Sequence, residues 1–187
     1  MTGKLIRLVL GAVAVTAGAL LAAQAMAQAK TGVYAEEERD WKVPPTRQFR
    51  TAGYHSRTPL QIPGGKVVTT GELSALIGQD PRPYVIDVLG GGIHTTIAGA
   101  FWMMGAGAGD MSRDEQARFA KAIAAFAGGD KARPMVFFCV DSECWLSYNA
   151  ALRAIGLGYT NVMWYRGGIA SWRVGGNPTT QSDPFFW

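Results

Sequence analysis

The sequence predicts an α/β domain built on a mostly parallel sheet of about five strands with helices on both faces. Three observations carry that reading. Short apolar runs alternate with helical stretches, two helices open on capping boxes, and the only two cysteines, Cys139 and Cys144, lie in one short segment. A small exported domain stapled by disulfides would spread more cysteines through the chain. Strands alternating with helices instead place a parallel sheet under helical cover.

In chain order, Val67-Val68 reads as a short strand, and Thr69-x-x-Glu72 is a capping box opening a helix through Ile77. Tyr84 to Val88 is too apolar for a half-exposed strand and suits a buried parallel one. Ala100 to Met103 reads as a third strand. Ser112-x-x-Glu115 opens a helix with Phe119, Ala122, Ile123 and Phe126 on one face, stopped by Gly128-Gly129. Pro134 to Cys139 is another buried strand, followed by a turn, a helix from about Trp145 to Ile155, and a strand over Asn161 to Tyr165.

Four segments organise the 187 residues: 1–27, 28–65, 66–178 and 179–187. The first carries Lys4 and Arg7 without an acid, an apolar run from Leu8 to Ala23, and Ala25-Met26-Ala27, the small-x-small pattern of a signal-peptidase site. The apolar run is shorter than the roughly 20 residues of a spanning helix. The expectation is a cleaved signal peptide, a periplasmic product and no stable membrane insertion afterwards. Cleavage removes two of the 18 basic residues and none of the 14 acids, so the net charge falls from +4 to +2. The remaining basic residues form no stripe, which leaves nucleic-acid binding without support. Segment 28–65 is polar and irregular, an N-terminal arm whose Tyr34, Trp41, Phe49 and Tyr54 suggest contact with the domain. Segment 179–187 reads as a C-terminal tail.

Reactive groups of a parallel sheet collect at the C-terminal ends of its strands. Cys139 stands there, and Val140, Asp141, Ser142 and Glu143 link it to Cys144 and Trp145 at the next helix. Backbone N–H groups of such a loop favour a thiolate. A buried inert cysteine fits the same position, and position alone leaves both readings open.

The segment Val136-Phe-Phe-Cys139, four residues, Cys144, then Ala150-x-x-x-x-Gly156-x-Gly158-Tyr159-x-Asn161-Val162 resembles a rhodanese domain. So do Arg166-Gly167-Gly168-x-x-x-Trp172-x-x-x-Gly176-Asn177-Pro178 and, upstream, Val85-Ile86-Asp87-Val88 with Ile97-Ala98-Gly99-Ala100. The signal peptide, the arm and Cys144-Trp145 followed by Ser-Tyr-Asn-Ala-Ala resemble one exported branch. Its members carry a Cys-x-x-Cys-Trp label and accompany pyrroloquinoline quinone-dependent (PQQ-dependent) alcohol oxidation. The resemblance implies sulfurtransferase-like chemistry at Cys139 and Cys144, acting on a small thiol or sulfur compound. It also implies a quinoprotein dehydrogenase or its cytochrome as partner.

The departures are specific. Cys144 stands where a sulfur-transferring rhodanese places a cation, Leu89 replaces the Arg after Ile-Asp-Val, and Thr96 replaces the His before the Ile-x-Gly-Ala turn. The first cysteine of the branch label falls on Asp141. A carboxylate about 6 Å from a sulfur opposes its charge by about 3 kcal/mol at an effective dielectric of 20. A helix N-terminus returns roughly 0.3–2 kcal/mol. Asp141 and Glu143 therefore predict weak or absent thiosulfate turnover. A Cys139–Cys144 bond encloses six residues, which the chain-entropy model values at about 2 kcal/mol. Its Cα atoms must come within about 7 Å, as they do if the loop curls like that of a rhodanese. The expectation is a partly exposed, easily reduced disulfide in a redox or sulfur-relay role. The competing reading is a binding module whose catalysis has lapsed.

Elsewhere, His55 and His94 sit in separate loops and read as surface residues rather than metal ligands, and no cofactor is expected. Trp145 shields the thiols, docks a partner or packs the helix. Gly90-Gly91-Gly92 and Gly105 to Gly109 lack the spacing of a nucleotide loop and read as mobile. Arg166, Gly167, Gly168 and Trp172 read as structural, and no Ser-His-Asp arrangement is visible. The export reading has a direct check. N-terminal sequencing of protein from the periplasmic fraction should begin at Gln28, and an intact Met1 on membrane-bound material would refute it.

Overall fold

The computed structural model describes residues 34–187; the expected signal peptide lies outside them. Twelve elements follow in order: α1 (Tyr34–Glu37), β1 (Lys66–Val68), α2 (Thr70–Ile77), β2 (Tyr84–Asp87), β3 (Thr95–Ile97), β4 (Phe101–Trp102), α3 (Arg113–Ala127), β5 (Met135–Phe138), α4 (Trp145–Gly156), β6 (Val162–Tyr165), α5 (Gly168–Val174) and β7 (Thr179–Gln181). Strands β1-β6-β5-β2-β4 form a parallel five-stranded sheet. β3 and β7 pair antiparallel beside it.

The sheet is covered on both sides because side chains alternate along each strand. Met135 and Phe137 of β5 and Trp164 of β6 face one core with Phe119 and Ile123 of α3 and Tyr148 of α4. Val136, Phe138 and Tyr165 face the other with Leu73 of α2 and Ile169 and Trp172 of α5. Every residue of β5 and β6 is buried. Each large side chain removed from water contributes roughly 1.5–3 kcal/mol, so these two strands anchor the fold.

Both capping boxes close as the sequence predicts. The Thr69 and Ser112 hydroxyls accept from the N–H of Glu72 and Glu115, and each glutamate accepts from its N-cap N–H in return. Gly128 ends α3 with φ +59°, the left-handed conformation that favours glycine. The short edge strand β4 is shielded by a ring cluster in which Phe126 lies 4.8 Å from Phe101 and 5.1 Å from Phe185. Segment 179–187 thus carries both a strand and part of the aromatic cover.

A charged cluster ties the small sheet to the large one. Asp87, 1% exposed at the end of β2, accepts from the Thr96 hydroxyl at 2.5 Å and from the Leu89 N–H at 2.9 Å. His94 Nε2 lies 2.9 Å from the same carboxylate, and its ring meets Trp102 edge-on at 4.8 Å. His94 is therefore not the surface residue expected; its side chain is 16% exposed. The hydrogen bond to Asp87 raises its pKa above the ordinary 6.5, against partial burial, which lowers it. A raised folded pKa means that this stabilisation is complete below about pH 6.5 and fades as pH rises through the raised value. Urea unfolding against pH should show that loss, and His94→Gln should flatten it. An unchanged profile in His94→Gln would contradict the assignment.

Candidate active site

β5 ends against β2, where Val88 N–H donates to Phe138 O, and the next residue is Cys139. The chain curls through 140–143 to Cys144, the N-cap of α4. Cys139 and Cys144 form a disulfide with Cα atoms 6.1 Å apart. The loop spends its own donors internally: Glu143 N–H donates to the Asp141 carboxylate at 2.9 Å, and Cys144 N–H to Asp141 O at 3.2 Å. Those two amides are unavailable to cradle an anion at Cys139.

On the other side, Ile169 N–H and Ala170 N–H of α5 donate to Cys139 O and Val140 O at 3.0 and 2.9 Å. Gly168 permits this approach. Its φ is +61°, and a Cβ there would lie 2.6 Å from both Cys139 O and the Val140 carbonyl carbon. The Gly167-Gly168 pair after β6 is thus what seats the loop.

The N-terminal arm lies across the cysteines. Ser56 N–H donates to Glu143 O at 2.7 Å, and Trp145 N–H to Tyr54 O at 2.8 Å, so an arm carbonyl satisfies a free donor of the α4 N-terminus. Trp145 Nε1 donates to Arg57 O at 3.1 Å, and the Thr58 hydroxyl to Ser142 O at 2.5 Å. His55 Nδ1 lies 3.7 Å from the Asp141 carboxylate. Farther along, Tyr148 Oη donates to Thr46 O, and Asn149 exchanges hydrogen bonds with the backbone of Arg50. This cover corrects one expectation: the disulfide is buried, with Cys139 1% and Cys144 4% exposed.

The arm is held by Arg166, 1% exposed at the end of β6. Its guanidinium donates to the Thr58 hydroxyl and carbonyl at 2.9 and 3.3 Å, and to Glu36 O and Glu37 O at 2.9 and 2.7 Å. It also stacks over Trp41 at 4.6 Å. Burial lowers its pKa to about 10, while Glu36, Asp40, Glu143 and Glu37 oppose the shift. Glu37 is buried as well. Its carboxylate accepts from the N–H and hydroxyl of Thr70, the first residue of α2, and burial raises its pKa despite those bonds.

Trp145 packs edge-on against Tyr148 at 5.0 Å, and its indole fastens the arm. The stretch from Gly105 to Gly109 is not a mobile loop. Asn149 donates to Gly107 O and Arg153 to Ala106 O and Ala108 O, and a Cβ at Gly107 would collide with Leu146 O. A Ser-His-Asp grouping does exist, in Ser182, His94 and Asp87, with Ser182 Oγ 3.3 Å from His94 Nδ1. Pattern reading missed it because Ser182 reaches His94 only through β3–β7 pairing. The serine is buried and its oxygen accepts from His94 N–H, while His94 Nδ1 also lies 3.0 Å from Gly92 O. It fastens a strand pair and presents no nucleophile. Among the described residues, no three His, Cys, Asp or Glu side chains converge on a common metal position.

The chemistry this arrangement can perform is thiol–disulfide exchange, or sulfur transfer once the disulfide is opened. Among solved structures, the chain is similar to the crystal structure of a Rhodanese_3-like domain from Anabaena sp., with 19% identity over 52% of this chain and 98% of that one, TM-score 0.37. It is similar to a longer crystal structure of the same Anabaena protein at 21% identity over 58% and 85%, TM-score 0.41. The crystal structure of thiosulfate sulfurtransferase from Pseudomonas aeruginosa shares 18% identity over 64% of this chain and 21% of that one, TM-score 0.44. No curated protein matches the chain. The family model for the Rhodanese-like domain matches residues 69–174, from the Thr69 capping box through β6 to the end of α5. That match takes in more than half of the 187 residues and contains the whole cysteine loop, and the chain belongs to the rhodanese-like domain family.

Proposed function

We propose that this chain is an exported thiol-redox or sulfur-relay protein working at Cys139 and Cys144, an accessory to PQQ-dependent periplasmic alcohol oxidation. The family supports sulfur transfer or redox chemistry at the level of the domain. The observation that carries the finer reading is the bond between the two sulfurs across the loop at the end of β5. Export rests on the signal-peptide pattern that ends at Ala25-Met26-Ala27, and the quinoprotein or cytochrome partner on the sequence resemblance.

In the relay, a sulfane sulfur rides on Cys139 as a persulfide. The Cys144 thiolate attacks Cys139 Sγ; the Cys139–Cys144 bond forms, the bond to the outer sulfur breaks, and hydrosulfide leaves. A dithiol then reduces the disulfide and is itself oxidised to a disulfide, returning both protein thiols. Cys144 thus serves as the resolving group, which explains a thiol where a sulfur-transferring rhodanese carries a cation. A binding module with lapsed catalysis is the second reading, favoured by the burial of both sulfurs.

Two measurements separate these readings. Mass spectrometry after alkylation should find no free thiol in the unreduced chain and two after mild reduction of native protein. A bond that yields only on unfolding would leave the binding module. Thiosulfate-to-cyanide transfer should run roughly 100-fold below that of an active rhodanese, the factor that about 3 kcal/mol of carboxylate repulsion supplies. A full rate lost in Cys139→Ser would refute the electrostatic argument.

A further inference from the structure

Tyr54, His55 and Ser56 run antiparallel to Glu143, Cys144 and Trp145, with His55 and Cys144 directly opposed. The two main-chain bonds, Ser56 N–H to Glu143 O and Trp145 N–H to Tyr54 O, flank that pair. It is therefore a non-hydrogen-bonded pair, the kind in which Cα atoms approach to about 4.5 Å and side chains lie alongside. That spacing falls within the roughly 4.4–6.8 Å that a disulfide bridges. Position 55 is the place from which a thiol reaches Cys144 Sγ. The native occupant is an imidazole, 66% exposed and turned toward Asp141. When the segment lifts, Ser142 O, Glu143 O and Trp145 N–H are left as an open backbone edge beside the disulfide.

We propose that Tyr54 to Arg57 occupies, within the chain, the docking edge for an extended segment of a dithiol protein, whose cysteine takes the place of His55. This rests on the thiol-redox reading. The partner's thiolate attacks Cys144 Sγ, a bond forms between those two sulfurs, the Cys139–Cys144 bond breaks, and Cys139 leaves as a thiolate. The partner's second thiolate then attacks the partner sulfur of the mixed disulfide and releases the Cys144 thiolate. The partner gains a disulfide and this chain gains two electrons and two protons. Asp141 and Glu143 border the edge, so a segment with a cation near its cysteine is the one it fits, as Arg57 follows His55 in the arm.

The test in cis is His55→Cys, read by peptide mapping without reduction. The introduced thiol should bond to Cys144 and leave Cys139 open to alkylation. Arg57→Cys, on the same arm but not opposite Cys144, should keep the Cys139–Cys144 bond. The test in trans uses a synthetic peptide, Gly-Tyr-Cys-Ser-Arg-Thr, on the chain carrying Ser56→Pro, which removes the N–H donor to Glu143 O. The peptide should form a mixed disulfide on Cys144 about tenfold faster than the same peptide N-methylated at its serine, which cannot donate to Glu143 O, the selectivity that backbone pairing supplies. The cis variant keeps the proposal testable if Ser56→Pro fails to fold. A retained native bond in His55→Cys, attack on Cys139, or equal rates for the two peptides would each overturn the docking edge. Two alkylatable thiols in the unreduced wild-type chain would overturn the redox reading itself, whereas a wild-type disulfide without exchange removes only the edge.

Discussion

The arrangement of the site depends on one buried cation. Arg166 follows strand β6, next to the central β5, in a place where water does not reach, and a charge so placed is destabilising by several kcal/mol unless its donors are met. Among the described residues, no carboxylate bonds it directly. Backbone carbonyls of Glu36, Glu37 and Thr58 and the Thr58 hydroxyl meet its N–H groups, and Trp41 covers its face. The guanidinium suits this work because it is a planar fork that keeps its charge, and a pKa lowered to about 10 still leaves it protonated at neutral pH. Thr58 passes the constraint on: its hydroxyl oxygen accepts from Arg166, and its O–H donates to Ser142 O in the cysteine loop. Holding the arm, closing the loop and burying the disulfide are consequences of satisfying that charge.

The same closure sets the chemistry. A loop that stabilises a persulfide or binds thiosulfate turns its amides toward the sulfur and keeps carboxylates away. Here Asp141 draws in the Glu143 N–H, and its backbone oxygen takes the Cys144 N–H. The sulfur of Cys139 is bonded to a neighbouring sulfur rather than presented to solvent. Exchange with a thiol asks less of such a loop than anion binding does, because the leaving Cys139 needs to be stabilised only after the bond opens.

Much of the architecture was legible in the chain because its signals are local. Thr69 and Ser112 announce helices α2 and α3 through side-chain bonds that span three residues. Pro134 to Cys139 announces a buried strand by being apolar at every position, which only a strand covered on both faces tolerates. The cysteine loop was equally visible, since Cys139, Cys144 and the acids between them are contiguous. What stayed hidden were contacts between distant segments. Nothing near Ser182 signals that it will sit against His94, and the aromatic residues of the stretch before Lys66 signal contact with the domain but not that it will cap α4 and cover the disulfide.

The sequence by itself determined the alternation of strands and helices, the placing of Cys139 at a strand end, and the negative charge of its loop. These follow from periodicity, capping and composition, which act over a few residues. The tertiary structure alone decided that the disulfide is buried, that His94 joins Asp87 in a charged cluster, and that Gly105 to Gly109 is packed rather than mobile. Each of those depends on whether a distant backbone arrives to exclude water or accept a hydrogen bond. That arrival is fixed by satisfying Arg166 and by fitting the Gly167-Gly168 turn against the loop, a balance struck only when the whole chain is packed.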